Sequence, residues 1–213
     1  GICKNKIFII PQSVFPQVNI YSQVNTIIFN LKDFIYKKVL NNSGTSIIIN
    51  KVFLMVGNIR PVKDPLFVRK TFEDLYHKGY ILALFGDVIE GNYNFHEYEK
   101  NGIFHLGPVA NNTLSFFYQQ ADGLINSSLS EGMAVSILEA MNNKCLVYAR
   151  NIEGNISIIQ DNINGYIFNN PDELTYLISQ KGDNQVIKDN AKKFVSTYHN
   201  PFLEEVNYRA LID

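Results

Sequence analysis

Val52-Phe53-Leu54-Met55-Val56-Gly57 is a run of five apolar residues stopped by a glycine, and Tyr80-Ile81-Leu82-Ala83-Leu84-Phe85-Gly86 repeats the pattern. Continuous apolar runs this short fit strands buried on both faces. Between them Pro65 opens a predicted helix over 65–77, with Leu66, Phe67, Phe72 and Leu75 inward and Gly79 past its end. Further along, 103–106, 123–126, 145–149 and 165–168 read as strands. Residues 96–100, 112–120 and 134–141 read as helices between them. Asn112 or Thr113 caps the second, and Asn142 and Asn143 suit a left-handed exit from the third. Helices over 171–179, 185–198 and 202–212 close the chain. Strands alternating with helices predict an α/β protein with a doubly wound parallel sheet, whose ligands bind at the carboxyl ends of the strands. The loops to inspect are 57–64, 86–92, 107–111 and 127–133.

Residues 1–50 do not share this rhythm. Residues 6–10 read as a strand ended by Pro11, 11–25 as loop, and Ile27, Ile28, Leu31, Ile35 and Val39 have helical spacing. With too little apolar periodicity for a domain, 1–50 reads as a lead-in segment and 51–213 as the domain. The charge balance is 19 basic against 20 acidic residues, so no basic field serves a nucleic acid and no polybasic segment a membrane. Apolar runs fall far short of the roughly 20 residues of a membrane span. The two cysteines, Cys3 and Cys145, make neither a disulfide framework nor a zinc spacing, which favours a reduced, cytoplasmic setting.

Three loops carry unusual polar residues. In Gly57-Asn58-Ile59-Arg60-Pro61-Val62-Lys63-Asp64-Pro65, two cations three residues apart follow a strand-end glycine. They suit a diphosphate clamp; a solvated loop capping the next helix is the plainer alternative. In Ser127-Ser128-Leu129-Ser130-Glu131-Gly132-Met133-Ala134, Gly132 allows close backbone approach. The N–H groups of Met133, Ala134 and Val135 would form an anion site at the helix start. Glu131 and Glu139 stand eight apart on that loop and helix; both could accept from hydroxyls while the N–H groups hold phosphate, as a polyol diphosphate requires. Glu131 as a simple partner of the helix dipole is the alternative. His105, in Phe104-His105-Leu106-Gly107-Pro108-Val109, suits a backbone-bonded strand histidine better than a base. There is no Asp-x-Asp, so a carboxylate-held metal is not expected.

Taken in order, these segments resemble the donor half of retaining glycosyltransferases of family 4, also called group 1. Ser130-Glu131-Gly132-Met133-Ala134-Val135-Ser136-Ile137-Leu138-Glu139-Ala140-Met141 is similar to the family's E-x7-E signature, and Asn164-Gly165-Tyr166-Ile167-Phe168 ends the matching stretch 52–170. The resemblance implies a Rossmann-like fold, the C-terminal half of a GT-B architecture, with 51–213 as the nucleotide-sugar donor-binding domain and 1–50 a remnant of the interdomain crossover. It implies metal-independent, hexosyl-type transfer with no cofactor, a nucleotide-diphosphate sugar as co-substrate, and an unknown acceptor held by an N-terminal domain lying before Gly1. Glu131 would contact the transferred sugar and Glu139 the ribose hydroxyls. Lys63 matches the diphosphate-binding lysine. The family's arginine, directly after Gly57, is Asn58 here, with Arg60 its replacement. Gly132, Met133 and Ala134 match the diphosphate cradle, and Leu106 and Val109 the segment lining the base. The catalytic set implied is thus Glu131, Arg60 and Lys63. A catalytically silent nucleotide-sugar-binding or regulatory relative is the alternative.

Overall fold

The computed structural model describes residues 11–14, 30–44, 46–181 and 183–212. The strand expected at 6–10, and Ile27 and Ile28, lie outside these residues. Six strands, β1 (Lys51–Val56), β2 (Tyr80–Phe85), β3 (Ile103–His105), β4 (Gly123–Asn126), β5 (Val147–Arg150) and β6 (Tyr166–Phe168), form one sheet in the order β3-β2-β1-β4-β5-β6. Every neighbouring pair is parallel. The order reverses between β1 and β4, which makes their carboxyl ends the switch point where such sheets bind ligands.

Alternation along the apolar runs divides the core in two. Val52, Leu54, Ile81 and Ala83 face one layer, packed with α1 (Leu31–Ser43), α4 (Asn111–Gln120) and α5 (Val135–Asn142). Phe53, Leu82 and Leu84 face the other, packed with Phe72 and Leu75 of α2 (Arg69–Leu75) and Leu174 of α7 (Pro171–Tyr176). A β-strand turns successive side chains to opposite faces, so a strand covered on both sides must be apolar throughout. Leu31, Ile35 and Val39 of α1 are buried in the first layer. Packing therefore runs without a break across residue 50.

Several boundaries differ from the expectation. Pro65 does not open a helix: Pro61–Lys63 is a 3-10 turn, Asp64 takes a left-handed φ of 43°, and α2 begins at Arg69. The carboxylate of Asp64 is committed to Arg150 at 2.9 Å, so it caps no helix. Neither Asn112 nor Thr113 caps α4; Ala110 is the N-cap, and Asn112 Oδ1 accepts from Thr113 N. Beyond α5 the left-handed residue is Lys144 (φ 57°), because Asn143 is held in place. Its amide donates to Glu139 O and accepts from Ser115 Oγ at 2.7 Å. The helix expected over 171–179 passes into a π-turn at Leu177–Lys181.

The remaining helices are α3 (His96–Glu99), α6 (Glu153–Ile156), α8 (Gln185–Tyr198) and α9 (Pro201–Ile212). Residues 11–14 dock where α8 meets α9. His199 Nδ1 lies 2.8 Å from Gln12 O, Val14 N donates to His199 O, and Ser13 N donates to Glu204 Oε2. Among the described residues no helix is long and apolar enough to cross a membrane.

Candidate functional site

The loops after β1 and β4 are tied together at the switch point. The Ser127 hydroxyl lies 2.8 Å from Asp64 O and 3.0 Å from Lys63 O. Leu129 N donates to Val62 O at 2.8 Å. Behind them Arg150 reaches from the end of β5: its Nη1 donates to Asp64 Oδ2 (2.9 Å) and Ser127 O (3.3 Å), and its guanidinium sits 3.7 Å from the Phe67 ring centroid. These links join residues from 23 to 86 positions apart, and together they fix where Lys63 meets Glu131.

Two close backbone approaches shape the same region. A Cβ on Gly86 would stand 2.2 Å from Gly57 O, and its φ of +148° also excludes most side chains. The ends of β1 and β2 therefore meet without side chains between them. A Cβ on Gly154, in the first turn of α6, would stand 2.1 Å from Glu131 O. The backbone of α6 is the wall against which the Glu131 loop rests.

A cleft of about 450 Å³ opens over these ends. Gly57, Arg60, Lys63, Val109, Glu131, Met133, Ala134 and Glu139 all line it, so eight of the ten donor-binding residues expected from the sequence converge. The other two stand apart. Leu106 is buried in the core beneath the cleft, because β3 ends at His105 and Leu106 N still bonds to Leu84 O. Val109, Pro108 and Leu114 supply the apolar wall instead. Gly132 is exposed with open space about its Cα.

Glu131 is held by one oxygen. Its Oε1 accepts from Lys63 Nζ at 2.6 Å, Ser128 Oγ at 2.6 Å and Asn126 Nδ2 at 3.3 Å. Its Oε2 has no partner among the described residues. Burial opposes ionisation of Glu131 more than any other single effect. The bonds from Lys63 and Ser128, the ammonium charge and the Asn126 amide together outweigh it, and the carboxyl stays below the usual glutamate range. Glu139 differs: burial pushes its carboxyl up, opposed only by the Tyr118 hydroxyl at 3.2 Å. Two carboxylates on one cleft wall are thus set apart, one firmly ionised and one short of donors. Hydroxyl donors from a ligand would relieve the second.

α5 begins at Val135 with Ala134 as its N-cap and no side-chain cap bond. Met133 and Ala134 line the cleft with Lys63, and their N–H groups have no acceptor among the described residues. Helix N-terminus and ammonium together make a site suited to an anion. Arg60 is exposed on the cleft wall with no ion pair for its guanidinium among the described residues. Asn58, at the strand end, accepts from Asp87 N at 3.4 Å. His105 is spent structurally, with Nε2 2.8 Å from Gly86 O and its ring against Phe95. Among the described residues no group of three or more His, Cys, Asp or Glu side chains converges. Cys145 is buried and free, its thiol pushed up to about 12 by burial, which leaves it inert.

Asn126, Ser128, Asp64, Arg150, Asn155 and Gly154 escaped the sequence reading as parts of this site. The one local signal was Ser128, three residues before Glu131. The rest depend on register between distant loops.

The family model for glycosyl transferases group 1 matches residues 48–194. The glycosyltransferase 1 domain-containing protein 1 of Xenopus tropicalis is 30% identical over 98% of the chain, and the chain spans 61% of that relative's length. A glycosyltransferase structure from Rickettsia africae superposes on 99% of the chain with a TM-score of 0.71 at 21% identity, covering 59% of its own length. The Anabaena protein HepE, in complex with UDP-glucose, superposes on 76% of the chain with a TM-score of 0.62 at 19% identity, over 49% of its own length.

Proposed function

The chain belongs to the glycosyl transferases group 1, on the Rossmann-like sheet of the GT-B fold, and we propose that its cleft binds a nucleotide-diphosphate sugar as the donor in a retaining, metal-independent transfer of a hexosyl-type group. The observation that carries this reading is the Lys63–Glu131 pair at 2.6 Å beside the uncapped start of α5, with Glu131 Oε2 unoccupied. An ammonium has three donors, so Lys63 can keep Glu131 and still meet a phosphate oxygen.

When the bond between the anomeric carbon and the diphosphate breaks, negative charge grows on the departing diphosphate. Lys63, Arg60 and the N–H groups of Met133 and Ala134 would stabilise that charge. They supply the positive charge that a metal ion supplies elsewhere. Glu131 Oε2 would accept from a hydroxyl of the transferred sugar and orient it. Glu139 would accept from the ribose, whose hydroxyls supply the hydrogen bonds its buried carboxylate lacks. Val109 stands where the base would lie, and Gly57 and Gly132 leave room for the diphosphate to approach the backbone. On this reading a second domain presents the acceptor across the cleft mouth.

The test titrates UDP, GDP, ADP, their nucleosides and NAD into the chain by calorimetry. At least one nucleoside diphosphate is expected to bind more tightly than its nucleoside and than NAD. Arg60→Ala is expected to weaken that diphosphate by about 1.5–3 kcal/mol, the size of a charge-assisted bond, and to spare the nucleoside. Unchanged diphosphate binding in Arg60→Ala would leave Lys63 as the sole cation of the site. A preference for NAD, or no binding at all, would reject the donor site. Sugar released from the bound donor, followed by NMR at the anomeric proton, separates a transferase from a silent binder.

A further inference from the structure

An amide can turn either end to a neighbour, and only its other contacts decide which. Asn126 is 6% exposed and stands between Glu131 and α6. Its Oδ1 accepts from Ser128 N at 3.1 Å and from Asn155 Nδ2 at 3.2 Å. With two donors on the oxygen, Asn126 has only its NH2 to offer Glu131 Oε1. Asn155 is fully buried, and its Nδ2 also donates to Arg150 O at 2.9 Å. Asn155 Oδ1 has no hydrogen-bond partner among the described residues. An unmet buried acceptor costs stability that an apolar side chain of similar volume would not. Stability alone therefore does not account for an amide at this position.

We propose that Asn155, acting through Asn126, is a positioning residue for Glu131: it sets the sense of the Asn126 amide, keeps Oε1 bound to the protein, and so reserves Oε2 for the sugar of the donor. The consequence for the sugar rests on the donor-site reading above; the relay itself does not. Gly154, the neighbour of Asn155, presses its backbone on the Glu131 carbonyl, so α6 holds the glutamate at both its main chain and its side chain. The charged groups around Glu131 are Lys63 on Oε1, Arg60 and Glu139 in the same cleft, the Arg150–Asp64 pair behind the loop, and Glu153 on α6. All of them stay in the variants below.

Asn155→Asp keeps the shape and offers only acceptors, which repels the Asn126 oxygen and favours turning its NH2 toward position 155 and its oxygen toward Glu131, against the single donor, Ser128 N, that remains on that oxygen. Two measurements read the result on the whole chain. The first is the pH midpoint of the Glu131 side-chain carbonyl by 13C NMR, assigned with Glu131→Gln. The second is the affinity for UDP-glucose relative to UDP. The midpoint is expected to rise by about one pH unit, a tenfold change in the ionisation constant. The UDP-glucose to UDP ratio is expected to fall by about as much, with UDP itself unchanged. Asn155→Ala, which removes the donor without adding charge, is expected to move both the same way by less, and it decides the matter if Asn155→Asp does not fold. A Glu131 midpoint at the parent value in Asn155→Ala or in folded Asn155→Asp would overturn the relay. If the parent binds neither UDP-glucose nor UDP, the donor reading fails for those probes while the midpoint still decides the relay.

Discussion

Lys63→Ala is expected to destabilise the fold at neutral pH by about 1–3 kcal/mol, the cost of leaving a buried acceptor unsatisfied. It is expected to weaken a bound diphosphate by roughly 10- to 100-fold, the loss of one charge-assisted bond. The two effects share a cause. The ion pair is partly buried, with side-chain exposures of 22% and 11%, so solvent does not replace the ammonium on Glu131 Oε1. Ser128 and Asn126 remain, which keeps the loss below that of a fully orphaned charge. The pH dependence follows from the sign of the shift. In the parent, the Glu131 carboxyl lies below its unfolded value near 4.5, so it contributes stability above that pH and loses it as pH falls through the folded value. Without Lys63 the dominant influence on it is burial, which acts in the opposite direction. The difference in urea midpoint between parent and variant should therefore be greatest near pH 7 and narrow below about pH 4. A difference that stays constant across that range would show that the pair is not what Lys63 contributes.

Gly154→Ala is expected to act on the site from behind. Its methyl would meet the Glu131 carbonyl oxygen at 2.1 Å and the carbonyl carbon at 2.9 Å. Backbone cannot rotate away as a side-chain tip can, so α6 or the Glu131 loop must shift. Overpacking of this kind costs about 1–3 kcal/mol. Displacing Glu131 also separates it from Lys63 and Ser128, so sugar-nucleotide binding should fall by more than the stability loss alone explains. Gly132→Ala is the control. It has open space, and its stability should match the parent's. Any loss of diphosphate affinity there reads the ligand's own approach to the backbone. Thermal melts and titrations of the two variants side by side check this. Parent-like stability and affinity in Gly154→Ala would mean that α6 yields freely and does not position the loop.

The sheet was legible because burial on both faces leaves a strong mark: Val52 to Val56 and Tyr80 to Phe85 admit no polar residue, and glycines stop both. The contents of the cleft were legible to the extent that they sit on strand-end loops, which a parallel sheet always brings to one side. What joins those loops was not. Lys63 and Glu131 are 68 residues apart, and no local pattern states that one faces the other at 2.6 Å. The Asp64–Arg150 brace spans 86 residues and uses a left-handed aspartate where Pro65 had suggested a helix start. Leu106 was expected to line the base only through the resemblance, but one further sheet bond, from its N–H to Leu84 O, keeps it in the core. Asn126 and Asn155 read as two more asparagines among 26, and only their burial and mutual bond set them apart.

The central claim is that the cleft divides a donor between two glutamates, the nucleoside at Glu139 and the sugar at Glu131, with the diphosphate between them. Calorimetric affinities for a nucleoside diphosphate and its sugar ester, in Glu131→Gln and Glu139→Gln, test it most directly. Glu139→Gln should weaken both ligands by about 1.5–3 kcal/mol, as expected when a carboxylate accepting from ribose hydroxyls becomes an amide. Glu131→Gln should weaken the sugar ester and leave the bare diphosphate close to the parent. Equal losses for both ligands in both variants would contradict the division of the cleft and the roles assigned to its two carboxylates.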